Sequence, residues 1–113
     1  MDCIFCKIAS GEIGSTKAYE DDKVLAFHDI SPAAPTHILI IPKCHISSAN
    51  DITGDNSHIV AHIYEAAAKL ARDLGLAEGG YRIVNNCGAD GGQTVNHLHF
   101  HLLGGRSLQW PPG

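Results

Sequence analysis

The sequence predicts an α+β domain: an antiparallel sheet of about five strands, one long helix on a face of that sheet, and a short helix near the N-terminus. Three observations carry this expectation. Short runs of strand composition alternate with breaks rich in glycine and proline. Residues 55–74 hold apolar side chains at helical spacing. Two of the strand runs, 81–86 and 96–103, are joined by a glycine-rich loop suited to a hairpin.

In chain order, "CIFCKIASGEI" reads as a short helix or turn ending at Gly11. "KVLAFHDI" (23–30) has strand composition, with Leu25 and Phe27 on the face opposite Val24 and Ala26. "PTHILIIP" (35–42) is a strand, since its β-branched residues run between two prolines that end regular structure. In the long helix, Ile59, Ile63, Ala66 or Ala67, Leu70 and Leu74 share one face; Asp55 is the expected N-cap and Gly75 the stop. "YRIVNN" (81–86), the loop "CGADGGQ" and "NHLHFHLL" (96–103) form a hairpin. The tail "GGRSLQWPPG" is too rich in glycine and proline for regular structure.

The chain has 113 residues, one domain over 1–113, and 44% apolar residues, which marks it as globular. A net charge of −4 with histidines neutral argues against gripping nucleic-acid backbones or anionic membranes. No apolar run approaches a membrane span, and the first ten residues lack the pattern of a signal peptide, so the expected compartment is the cytoplasm. Four cysteines there would stay reduced, which favours metal binding or packing over disulfides.

His97, His99 and His101 fall on every second position of an apolar run. In a strand they share one face, with Leu98, Phe100 and Leu102 on the other. The outer two would lie roughly 13.6 Å apart along the strand, too far for one metal with bonds of about 2.0–2.1 Å to hold all three. Two could share a metal. Idle surface histidines are a poor reading of three in register. What remains is reaction chemistry: a neutral imidazole is a good nucleophile toward phosphorus, and roughly three quarters of unperturbed histidines are neutral at pH 7. Such an attack needs donors on the phosphate oxygens, and "GADGGQT" (88–94), in which Gly91 and Gly92 permit close approach, lies directly before the histidines.

"HLHFHLL" preceded by "GGQTVN", "FHDISPAAPTHILIIPKCH" (27–45) and the tail resemble the histidine triad family of nucleotide hydrolases and transferases, in the family's order and over about Cys3 to Gly113. The tail is similar to that of the Hint branch, the purine nucleoside phosphoramidases. Thr94 departs from the serine common there, and threonine is typical of the dinucleoside polyphosphate hydrolase branch. The resemblance implies that His99 attacks the α-phosphorus of a nucleoside 5′-phosphoramidate or related compound. A nucleotidyl-histidine would form, and water would release the nucleoside monophosphate. His101, Gln93 and the Gly92 loop would hold phosphate oxygens, Thr94 would lie near the leaving group, and His37 would orient the other histidines. Asn86 would contact phosphate or sugar. Asp29 would accept from ribose hydroxyls, although a turn residue before "SP" is its plainer role. The base would lie among Ile4, Phe5, Ile8, Phe27 and Ile30, each of which could equally be core.

"CIFC" sets Cys3 and Cys6 at metal-ligand spacing. Familiar eukaryotic Hint proteins lack these cysteines. Many bacterial members, and the related uridylyltransferases, pair such a motif with two histidines, which by position are His45 and His97. The resemblance thus implies a structural Cys2His2 zinc, with His97 on the metal and His99 and His101 on phosphate. Cys44 and Cys87 read as packing residues, and His28, His58 and His62 as ordinary histidines. The resemblance also implies a homodimer in which each tail, with Trp110, lies near the partner's active site. Rival readings are a dinucleoside polyphosphate hydrolase and a zinc-stabilised nucleotide-binding adaptor without turnover. Preference between adenine and guanine is not legible.

Overall fold

The computed structural model describes residues 3–113. It contains α1 (Ile4–Ala9), β1 (Lys17–Glu20), β2 (Val24–His28), β3 (Thr36–Pro42), a 3-10 turn (Ala49–Asp51), α2 (Ser57–Asp73), β4 (Tyr81–Val84) and β5 (Phe100–Gly104). The strands form one antiparallel sheet in the order β1-β2-β3-β5-β4.

The two faces of the sheet bury different partners. Val24, Ala26, Ile38, Ile40, Leu98, Phe100 and Leu102 pack against Ile59, Ile63, Ala66, Ala67 and Leu70 of α2. On the reverse face Leu25, Phe27, Leu39 and Ile41 meet Phe5 and Ile8 of α1. Strands β2 and β3 are therefore covered on both sides, which is why their apolar runs are continuous rather than alternating. The face under α1 is the one to which the odd-numbered residues of β3, including His37, belong.

Several local expectations change. The helix starts at Ser57 with Asn56 as N-cap; the Asn56 side chain accepts from the Thr53 amide, and Asp55 is an exposed residue before the cap. Gly75 ends the helix at φ +75°, but Leu74 is 44% exposed while Ala71 and Leu76 turn inward. Strand β1 was not among the named runs: "KAYE" is a half-polar edge strand whose pairing with β2 carries a register shift. The histidine run is regular strand only from Phe100. His97 lies in a bend whose amide bonds back to the Val95 carbonyl, and Leu98 and His99 lead into β5 off the β4 ladder; Leu98 still packs on the α2 side. His62 is bonded to Asp21 at 2.6 Å, rather than standing free on a polar helix face. Cys44 is exposed and not a packing residue. No helix among the described residues is long and apolar enough to cross a membrane.

Candidate active site and metal centre

Cys3 lies just before α1, Cys6 within it, His45 in the loop after β3, and His97 in the segment leading to β5. Folding brings the four ligand atoms within 4.8 Å of one another. Cys3 Sγ is 3.3 Å from His97 Nδ1, Cys6 Sγ is 3.3 Å from His45 Nδ1 and 3.5 Å from His97 Nδ1, and the two Nδ1 atoms are 3.2 Å apart. A tetrahedral zinc with bonds of about 2.3 Å to sulfur and about 2.0–2.1 Å to nitrogen has N–N edges near ~3.3 Å and S–N edges near ~3.6 Å. The observed separations match those edges.

The ring chemistry fits as well. His97 Nε2 lies 2.8 Å from the Pro42 carbonyl, which can only accept, so Nε2 carries the proton and Nδ1 presents its lone pair to the cluster. The His97 ring is fully buried, and burial pushes its pKa down, opposed by the Pro42 bond. Burial and the adjacent Cys3 push the Cys6 thiol up, so two thiolates here call for a cation. Four protein ligands leave no open position, and such a metal would be structural.

The second histidine group is organised by hydrogen bonds. The register sets His37 opposite Leu103 and Leu39 opposite His101, making His37 and His101 diagonal neighbours on one face. The Ala33 amide donates to His37 Nδ1 at 3.0 Å. His37 must then carry its proton on Nε2, which donates to His101 Nδ1 at 2.8 Å, with Asp29 Oδ2 at 3.4 Å beside it. His101 is left with its own proton on Nε2, free to donate. Asp29, His37 and His101 also stand within 4.8 Å of one another. The 2.8 Å separation and the protonated Nε2 mark that group as a hydrogen-bonded chain and not a ligand set.

His99 has the complementary tautomer. Its Nδ1 lies 2.7 Å from the His97 carbonyl and must donate to it, so in the neutral ring Nε2 carries the lone pair. The His99 and His101 rings are 5.2 Å apart. A nitrogen with a free lone pair thus stands beside an N–H donor, and no described residue bonds either Nε2. Burial, with His99 and His37 adjoining, pushes His101 down to about 4 against the pull of Asp29, so it is a neutral donor at pH 7.

Phe5 joins this pair to a cleft: its ring is 5.1 Å from His99 and 5.7 Å from Phe27, both edge-on. The cleft, of about 260 Å³, is lined by Ile4, Phe5, Ile8, Phe27, Asp29 and Ile30 together with Ile13–Thr16 and Leu39. The structure therefore gathers every residue expected around the base. Phe5, Ile8 and Phe27 are buried, whereas Ile30 is 99% exposed at the rim. Asp29 divides its roles: Oδ1 accepts from the Ser31 amide, the turn function, while Oδ2 faces His37.

The glycine loop is arranged differently from expectation. Gln93 Nε2 donates to the Ser47 and Val95 carbonyls, and its Oε1 accepts from the Gly88 amide. The backbone amides of Gly92 and Gln93 bond to Ala89 and Gly88. These groups close the loop on itself, so Gln93 is a brace. Glycine is required at 91, where a Cβ would fall 2.3 Å from the Cys87 carbonyl oxygen. Thr94 is exposed and lines a second cleft, of about 510 Å³, with Cys3, Ile4 and His45. Asn86 is half-buried and makes no hydrogen bond among the described residues. The residue that does reach the histidines is its neighbour Asn85, whose Nδ2 donates to the His99 carbonyl at 2.9 Å. In the sequence, only the register of the hairpin could have distinguished the two. The Ala33 amide was likewise missed, since no side chain marks it.

A fold with one long helix on a five-stranded antiparallel sheet, and a histidine pair of opposite tautomers, defines a class that comparison makes specific. The HIT domain model matches residues 10–108. The purine nucleoside phosphoramidase of Escherichia coli is 50% identical over 107 residues, 95% of this chain and 90% of that protein. An uncharacterized HIT-like protein of Synechococcus elongatus is 51% identical over 112 residues, 99% of this chain and 97% of that one. The crystal structure of a HIT family hydrolase from Legionella pneumophila superposes with a TM-score of 0.98 at 56% identity, covering 99% of this chain and all of that one. The chain belongs to the HIT domain family, as a hydrolase of that family.

Proposed function

We propose that this hydrolase cleaves the P–N bond of purine nucleoside 5′-phosphoramidates, and related adenylylated or guanylylated compounds, through a nucleotidyl-His99 intermediate. The observation that carries the reading is the pair of opposed tautomers: a bare Nε2 on His99 next to an Nε2–H on His101. His99 Nε2 attacks the α-phosphorus, the P–N bond breaks, and the amine leaves with a proton from solvent on the side of Thr94. Water then attacks the phosphorus, loses a proton, releases the nucleoside monophosphate and restores His99. His101 donates to a phosphate oxygen throughout, held in that tautomer by His37 and the Ala33 amide. The base enters the apolar cleft, Asp29 meets the ribose, and the unbonded Asn86 amide is available to phosphate or sugar.

Cys3, Cys6, His45 and His97 hold a structural zinc, which ties the start of α1 to the loop after β3 and to the histidine segment. The free cysteines suit the cytoplasm. A homodimer is supported by the tail: Trp110 is 80% exposed, although Arg82 anchors the Leu108 and Gln109 carbonyls beside it, and the outer edge of β4 is unpaired in the sheet.

The test is turnover of an adenosine phosphoramidate against diadenosine polyphosphates, with wild type and His99→Ala. Faster release of AMP from the phosphoramidate, abolished in His99→Ala with AMP binding kept within about tenfold (about 1.4 kcal/mol), is expected. Substantial hydrolysis by His99→Ala would overturn the mechanism. Preference for the polyphosphates would move the activity to the other branch of the family.

A further inference from the structure

We propose that Asn85 is a positioning residue for the nucleophile; this rests on the reading of His99 given above. The β4–β5 ladder pairs Tyr81 with Gly104, Arg82 with Leu103, Ile83 with Leu102 and Val84 with His101, and then stops. Continued in register, it would set Asn86 opposite His99. The strands instead diverge into the glycine loop, and no backbone bond joins Asn86 to His99 among the described residues. The His99 carbonyl, which the ladder no longer serves, is taken by the Asn85 side chain at 2.9 Å. A carbonyl only accepts, so the amide nitrogen of Asn85 faces it.

This bond matters because of where the ladder ends. His99 lies just outside regular strand, one residue before the β3–β5 pairing begins at Phe100. The Leu98 amide donates to the Ile46 carbonyl at 2.6 Å, and His99 Nδ1 donates to the His97 carbonyl at 2.7 Å. Those two bonds hold the segment before His99. Asn85 supplies the side-chain bond to the carbonyl of His99 itself, at the peptide that joins the nucleophile to Phe100, the first residue of β5 and the partner of Ile40 in the ladder with β3. In-line attack on phosphorus tolerates little misplacement, and an error of about 1 Å costs about a hundredfold in rate. Asn85 touches neither substrate nor the reacting nitrogen; its effect passes through the main chain.

The experiment compares Asn85→Leu and Asn85→Asp with wild type and His99→Ala, using the adenosine phosphoramidate. Leucine removes the donor at similar volume; aspartate keeps the shape and sets a carboxylate against the carbonyl. For both, kcat and the single-turnover rate of P–N cleavage should fall about tenfold or more, while KM and AMP affinity stay within about threefold. A kcat within threefold of wild type in either folded variant would overturn the proposal. A lowered Tm with kcat retained below it would reduce Asn85 to hairpin support, and a raised KM at constant kcat would make it a binding group; either also overturns it. If His99→Ala itself retains turnover, the reading of His99 fails and the assignment of Asn85 falls with it.

Discussion

Replacing His37 with phenylalanine keeps a ring of similar size between β3 and β5 but removes both nitrogens of the chain that sets the His101 tautomer. In the wild-type protein the Ala33 amide donates to His37 Nδ1, and His37 Nε2 donates to His101 Nδ1 at 2.8 Å. The variant leaves the His101 acceptor without its donor in a half-buried site. An orphaned buried acceptor costs about 1–3 kcal/mol, and about 1.4 kcal/mol is a factor of ten in rate. If the loss is felt at the transition state, kcat falls by about 5- to 150-fold. There is also a pH signature. Burial is the main cause holding His101 at about 4, His99 and His37 add to it, and Asp29 opposes them. Without His37 the depression weakens, so the pKa of His101 rises toward its ordinary value. The kcat–pH profile measured with an adenosine phosphoramidate should then bend at higher pH than in wild type, and ¹⁵N spectra of labelled histidine should show His101 losing its single Nε2–H tautomer. A variant with kcat within twofold of wild type and an unchanged His101 tautomer would refute the relay.

Three further outcomes are expected. Purified wild-type protein should carry one zinc per chain by elemental analysis, and Cys3→Ser should lose zinc and thermal stability together; wild-type protein prepared without chelators and found free of zinc would count against the site. Because the pKa of His101 is lowered on folding, its contribution to stability is complete above about pH 6.5 and is lost as pH falls from there toward about 4; the pH dependence of Tm in that window should flatten in His101→Asn, and an equal slope in both proteins would contradict the assignment. Deleting Ser107 to Gly113 removes Trp110 and should change the ranking of phosphoramidate leaving groups and weaken the dimer, read by competition assays and light scattering; a monomeric wild type at micromolar concentration, or an unaltered ranking, would exclude that role for the tail.

What was legible in the sequence was what apolar spacing encodes. The long helix, β2, β3 and the β4–β5 hairpin follow from runs of Ile, Leu and Val whose burial the sheet and α2 satisfy. β1 was missed because an edge strand with one half-exposed face has no apolar period to read. The site was legible as residue types but not as bonds. The sequence predicts His97, His99 and His101 on one strand, but regular strand begins only at Phe100; an apolar cleft is lined by Ile4, Phe5, Ile8, Phe27 and Ile30, the residues the family resemblance named. Gln93 differs because an amide that reaches phosphate and one spent on the Ser47 and Val95 carbonyls look alike in a sequence. Asn85 and Asn86 were indistinguishable until the ladder was seen to stop at Val84.

The geometry also links the candidate metal cluster and the proposed nucleophile within one short run of chain. His97 serves both. Its ring is fixed by the Pro42 carbonyl with Nδ1 turned to Cys3, Cys6 and His45, while its own carbonyl receives the Nδ1 proton of His99. In the neutral ring the second bond leaves the free lone pair on Nε2. A cluster that immobilises the His97 ring therefore also steadies the carbonyl on which the His99 tautomer depends, two residues away and without any metal–substrate contact. On this arrangement a metal at Cys3, Cys6, His45 and His97 would act on the proposed chemistry by holding a backbone oxygen still, as a closed set of four protein ligands implies.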